Sequence, residues 1–129
     1  MKKILIIEDN EDIRSNTAEM LELSNYDISV AANGKKGLEK LKEYKPDLII
    51  CDILMPELDG YGVLEEIKKD EAFKCIPFIF LTAKTERTDI NRGLLLGAAF
   101  YLSKPFEMET LLHAVDEALS VHHDDLHPE

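Results

Sequence analysis

Five side chains able to do chemistry stand at or just past the ends of short apolar runs. Ile4-Leu5-Ile6-Ile7 stops at Glu8 and Asp9, and Leu48-Ile49-Ile50-Cys51 stops at Asp52. The run from Ile76 to Leu81 stops at Thr82, and Lys104 lies just beyond the run from Ala99 to Leu102. Each residue alone has an ordinary explanation. Glu8 and Asp9 suit a helix start through the dipole, Asp52 or Thr82 could cap a turn, and Lys104 could be a surface lysine. Brought together they are a different object. Three carboxylates in one place repel and raise one another's pKa unless a cation sits among them. Hard oxygen donors with room for water suit Mg²⁺, or Mn²⁺ in its place. A carboxylate nucleophile, a metal, an ammonium and a hydroxyl donor are the parts needed for phosphoryl transfer.

The elements that position them follow from the pattern. Apolar runs bounded in this way read as buried parallel strands, and open α/β sheets place ligands at the carboxyl ends of such strands. After the first run, Asn10 is a helix N-cap, with Ile13, Thr17, Met20, Leu21 and Ser24 at helical spacing until Asn25. Tyr26 to Val30 reads as a strand, Asn33-Gly34 as a turn, and Gly37, Leu38, Leu41 and Tyr44 as a second helix broken by Lys45-Pro46. The Asp52 strand follows, then Pro56 and the turn signal Asp59-Gly60, then a third helix over 60–70 through Val63, Leu64 and Ile67. After the Thr82 strand a helix is expected over about 86–96, stopped by Gly97. A short fifth strand spans Ala99 to Leu102, and the last helix, about 107–120, carries the stripe Met108, Leu111, Leu112, Val115 and Leu119.

Strict alternation of this kind implies an α/β fold, a doubly wound parallel sheet of five strands with five flanking helices. The common order is 2-1-3-4-5, the flavodoxin-like arrangement. In that order the first and third strands are neighbours at the switch point, so Glu8, Asp9 and Asp52 converge.

Composition agrees. The chain has 129 residues, enough for one domain with its own core, and a formal charge of −11. That charge argues against direct nucleic-acid binding, which needs a basic face. Cys51 and Cys75 show no metal-ligand spacing, and Cys51 reads as an inert core thiol. Met1-Lys2-Lys3 leads into an apolar run too short for a signal peptide or a membrane span, so the expected compartment is the cytoplasm. Residues 121–129, with His122, His123 and His127, read as a loose tail or the start of a linker.

Four motifs in order make the chain resemble a response-regulator receiver domain of two-component signalling over roughly residues 2–120. They are Ile-Glu-Asp-Asn at 7–10, Cys-Asp-Ile-Leu-Met-Pro-Glu-Leu-Asp-Gly at 51–60, Leu-Thr-Ala at 81–83 and Tyr-Leu-Ser-Lys-Pro-Phe at 101–106. The resemblance implies that Asp52 accepts a phosphoryl group from a sensor histidine kinase or a histidine phosphotransfer protein. It implies a Mg²⁺ site made by Asp9, Asp52 and the main-chain carbonyl of Leu54, with Glu8 acting through a water. Lys104 would pair with Asp52 and then with the phosphoryl group. Thr82 and Tyr101 would form the switch, moving the face built from the fourth helix, the fifth strand and the last helix. That face would control a downstream protein or a fused output domain, and could form a homodimer. The Lys104-Pro105 bond is typically cis in the family.

Some positions depart from the family pattern. Glu8 replaces a more common Asp. Leu54 and Lys84, two residues beyond Asp52 and Thr82, stand where the family tunes phosphoryl lifetime. An apolar Leu54 cannot orient an attacking water, so slow self-dephosphorylation is expected. The segment before Tyr101 lacks acids, and Phe100 either fills core or makes that face stickier. Leu54 also counts against a phosphohydrolase of the haloacid-dehalogenase kind, which needs a second acid there. A flavodoxin would need a phosphate-binding loop after the first strand, where Glu8-Asp9-Asn10 stands. The remaining alternative is a non-phosphorylated receiver-fold binding module. It is disfavoured because no acid, Thr or Lys of the constellation is missing.

Overall fold

The structure, a computed structural model, describes residues 1–83 and 100–125. The helix expected over 86–96, its stop at Gly97, Lys84 and the last four residues of the tail lie outside the described residues. Five strands form one parallel sheet: β1 (Lys3–Ile7), β2 (Asp27–Ala31), β3 (Leu48–Asp52), β4 (Phe78–Ala83) and β5 (Phe100–Lys104). Their order is β2-β1-β3-β4-β5, the flavodoxin-like arrangement expected from the alternation. The described helices are α1 (Glu11–Glu22), α2 (Gly34–Tyr44), α3 (Gly60–Lys68) and α4 (Met108–Asp125).

Alternation along the strands divides the core into two layers. Ile4, Ile6, Leu48, Ile50, Ile79, Leu81 and Leu102 face α1 and α4, where Leu21, Leu111, Val115 and Ala118 meet them. Leu5, Ile7, Ile49, Cys51, Phe78 and Phe80 face α2 and α3, against Leu41, Val63, Leu64 and Ile67. β3 is buried on both faces along its whole length, as the central strand of a parallel sheet must be. Burying each Ile, Leu or Phe contributes about 1.5–3 kcal/mol, which is why the runs 4–7, 48–51 and 78–81 carry no polar residue. Phe100 is partly buried and packs against the α1/α4 layer, so it fills core.

Several boundaries differ from the expectations. Asn33-Gly34 is not a separate turn. Asn33 is the N-cap of α2, its Oδ1 accepting from Lys36 N at 2.8 Å, and Gly34 is the first helical residue. A Cβ on Gly34 would lie 2.9 Å from Leu58 O, so that close approach needs glycine. Asp59 likewise caps α3, accepting from Gly62 N at 2.8 Å. α3 ends at Lys68, two residues before the expected Asp70. β4 begins at Phe78, because Pro77 has no N–H, although its carbonyl accepts from Ile49 N at 3.0 Å. β5 continues to Lys104, since Ser103 pairs with Thr82 and Lys104 with Ala83 until Pro105 ends the ladder. α4 extends to Asp125, past the expected end at residue 120, because nothing before Pro128 breaks a helix. Among the described residues no helix is long and apolar enough to cross a membrane.

Candidate functional site

The polar groups meet at the carboxyl edge of the sheet because the register puts them there. Ile7 pairs with Cys51, so Glu8 and Asp52 are the next residues out on adjacent strands. Asp52 pairs with Leu81, which brings Thr82 one step beyond it, and Ala83 pairs with Lys104. Glu8, Asp52 and Thr82 are all buried, while Asp9 is exposed.

One ammonium serves two carboxylates. Lys104 Nζ lies 3.1 Å from Glu8 Oε1 and 3.1 Å from Asp52 Oδ1, with 14% of its side chain exposed. Lys104 donates to Glu8 Oε1 and pairs with Asp52 Oδ1 at the same distance, so both buried acids draw on it. Burial and the neighbouring Glu8 charge push the Asp52 carboxyl up to about 7, with Lys104 pulling the other way. Burial would lower the Lys104 ammonium, but its contacts with Asp52 and Glu8 outweigh that and leave it above the ordinary lysine value. The Cys51 thiol is pushed well up by burial, then by Asp52, Glu8 and Asp59, so it stays protonated and inert.

Glu8, Asp9 and Asp52 each place a carboxylate oxygen so that these atoms lie within 4.8 Å of one another. Among the described residues the cluster offers hard carboxylate oxygens, and the Lys104 ammonium stands against two buried acids. These residues fit a divalent cation of the magnesium kind.

The β3–α3 loop passes directly beneath Asp52. Gly60 N donates to Ile53 O at 2.8 Å, and a Cβ on Gly60 would come within 2.6 Å of Asp52 O. Leu54, two residues after Asp52, is 54% exposed. Glu57, two residues before the Asp59 cap, has φ 69°. Thr82 Oγ1 lies 3.4 Å from Ala83 O. Tyr101 is half-buried on the α2/α3 face, its ring 5.3 Å from Phe80, which lies 5.0 Å from Tyr61. The Lys104–Pro105 peptide bond is cis.

Three contributions to the site go beyond the sequence reading. Gly60, expected as a turn residue, also makes a close approach to the Asp52 carbonyl, and a glycine closing the loop after a buried carboxylate is the available signal. Arg14, four residues after the Asn10 cap, sends Nη1 to Glu8 O at 2.9 Å. Asn10 both caps α1 and donates its N–H to Glu8 Oε2 at 3.1 Å.

A doubly wound sheet with an acidic pocket at its switch point, one lysine and one threonine defines the class. The chain matches the response regulator receiver domain family over residues 4–116 and belongs to it. Over 126 residues it is 40% identical to a probable transcriptional regulator, ycf27, of Porphyridium aerugineum, covering 92% of this chain and 51% of that protein. It is 35% identical to Protein PilH of Pseudomonas aeruginosa, covering 93% of this chain and 99% of that one. The chain thus spans about half the length of the ycf27 regulator and nearly all of PilH. Among solved structures, chemotaxis protein CheY4 of Vibrio cholerae superposes with a TM-score of 0.87 at 30% identity, covering 92% of this chain and 98% of that one. The chain is therefore a receiver domain of the two-component type.

Proposed function

We propose that Asp52 is the phosphoacceptor of this receiver domain. A carboxylate oxygen of Asp52 forms a bond to phosphorus as the phosphorus–nitrogen bond of a phosphohistidine breaks. The electron pair of that bond returns to the imidazole nitrogen, and an acyl phosphate remains on Asp52. The donor is a sensor histidine kinase or a histidine phosphotransfer protein. Asp9, Asp52 and the main-chain carbonyl of Leu54, with Glu8 behind them, would hold Mg²⁺ or Mn²⁺. When bound, the metal neutralises charge on the phosphoryl oxygens. Lys104 would contribute a further positive charge beside Asp52. The observation that carries this reading is the Lys104 ammonium 3.1 Å from a buried Asp52 oxygen, beside a second buried acid, Glu8.

The acyl phosphate adds charge and acceptor oxygens, which draw Thr82 inward and let Tyr101 follow across the Phe80 ring. The output is a docking partner or a fused domain in the cytoplasm, not nucleic acid bound by this domain itself. A homodimer through β5 and its flanking helices is part of the same reading. Leu54 and Lys84 set the lifetime, which is long because Leu54 cannot orient a water.

The test is intact mass after incubation with Mg²⁺ and acetyl phosphate, for wild type and Asp52→Asn. Gain of one phosphoryl group by the wild type alone is expected. Gain by both would move the acceptor to another residue, and a lifetime of seconds would refute the role given to Leu54.

A further inference from the structure

Glu8, Asp9 and Asn10 join β1 to α1, and the first two are acids of the pocket. They are held unequally. The buried Glu8 side chain is fixed at both oxygens, Oε1 accepting from Lys104 Nζ at 3.1 Å and Oε2 from Asn10 N at 3.1 Å. Asp9 is exposed, and no described group ties down its carboxylate. The direction of that carboxylate is therefore set by the backbone that carries it.

Arg14 pins that backbone. The β1–β2 ladder ends at the pair Ile7 and Ala31, and Glu8 N still donates to Ala31 O at 3.1 Å. The Glu8 carbonyl lies beyond the ladder and accepts from Arg14 Nη1 at 2.9 Å. A peptide unit is planar, so a bond to this carbonyl fixes the plane that ends at the Asp9 N and Cα. Arg14 is itself anchored, its main-chain N–H donating to Asn10 O at 2.9 Å. The arginine also runs against local preference. α1 opens with Glu11 and Asp12, as the helix dipole favours, and Arg14 is the one base among its twelve residues. Among the described residues its partner is a neutral carbonyl, not a carboxylate. A charged donor on such an acceptor makes a strong, directed bond.

We propose that Arg14 is a positioning residue for the metal site: through the Glu8–Asp9 peptide it aims the Asp9 carboxylate at the cation shared with Asp52. This deepens the proposed function and rests on its reading of Asp9 as a metal acid. Three roles for Arg14 differ in sign. A guanidinium acting by charge alone repels Mg²⁺, so its removal tightens binding. One that merely steadies α1 lowers stability when lost and leaves the Mg²⁺ affinity of the folded protein native. A positioning residue weakens Mg²⁺ binding when lost, against the electrostatic trend.

The experiment uses the whole chain as wild type, Arg14→Met and Arg14→Lys. Methionine keeps an unbranched stem and has no N–H. Lysine keeps the charge and a donor, and the contact it must replace is a single N–H on one oxygen. The first readout is Mg²⁺ affinity by calorimetry, at a temperature where thermal melts show each variant folded. The second is the ¹³C resonance of the Glu8 carbonyl in metal-free protein. Expected for Arg14→Met is Mg²⁺ bound about 10-fold more weakly, with the Glu8 resonance displaced. Expected for Arg14→Lys is recovery of most of that affinity, with the resonance close to its native position. Native or tighter Mg²⁺ binding in Arg14→Met, no recovery in Arg14→Lys, or an unmoved Glu8 resonance in Arg14→Met each overturns the proposal. A wild type that binds no Mg²⁺ removes the metal reading and this one with it. A wild type that binds Mg²⁺ and takes up no phosphoryl group removes the phosphoacceptor reading, while the ranking of the variants still decides the role of Arg14.

Discussion

The middle of the sheet and its carboxyl edge share the same five strands and are packed under opposite rules. In the middle, Ile6, Ile50 and Phe80 are fully buried among apolar neighbours. At the edge, one or two residues further along, Glu8 and Asp52 are also buried but share the Lys104 ammonium. The middle gains free energy from every side chain removed from water. The edge holds like charges close together in a place where water cannot screen them. The difference teaches that the core provides the stability against which a strained, reactive pocket is held, and that the two regions should respond to mutation with opposite sign.

The largest effect is expected in the middle. Phe80→Ala should lower the unfolding free energy by about 3–5 kcal/mol, read by denaturant titration. Asp52→Asn should do the reverse in metal-free buffer at neutral pH, raising the thermal midpoint by removing one of two repelling buried charges. A drop in midpoint on Asp52→Asn would break the comparison.

Gly60→Ala tests the boundary between the regions. The added methyl would press on the Asp52 carbonyl, and a cost of about 1–3 kcal/mol is expected, with weakened Mg²⁺ binding by calorimetry. An unchanged Mg²⁺ affinity would separate the loop from the site.

The pH dependence sharpens the contrast further. The folded Asp52 carboxyl titrates at about 7, above its ordinary value of 3.8. The folded state therefore binds more protons than the unfolded one between these values. Its contribution to stability is fully present below the lower value and is lost as pH rises through about 7. Metal-free protein should lose stability over that window, and Asp52→Asn or saturating Mg²⁺ should flatten the slope. The smallest effect is at the rim, where Asn10→Ala removes the α1 cap and should cost about 1 kcal/mol in the same titration.

Much of this was legible in the sequence because strands that end on acids announce both their burial and their edge. The order of the sheet then followed from strict alternation, and with it the meeting of Glu8, Asp9 and Asp52. What remained hidden depends on side-chain reach and ladder register. Nothing local in Glu8 tells that it, and not only Asp52, holds a lysine 96 residues away. The two extra residues of β5 are set by pairing with Thr82 and Ala83, not by the apolar run that ends at Leu102. Asn33-Gly34 misled because the same dipeptide serves a turn and a helix start, and only the crowding at Gly34 decides between them.

The sheet order has one more consequence. β5 lies at the end of the order, and β4 is its neighbour in the ladder. The strand bearing both Lys104 and Tyr101 is thus tethered along a single seam. Displacing it opens one ladder, whereas displacing an inner strand opens two. A local event at a deeply buried carboxylate acquires leverage on the protein's outer rim, because the cation that senses it rides on the outermost plank of the sheet.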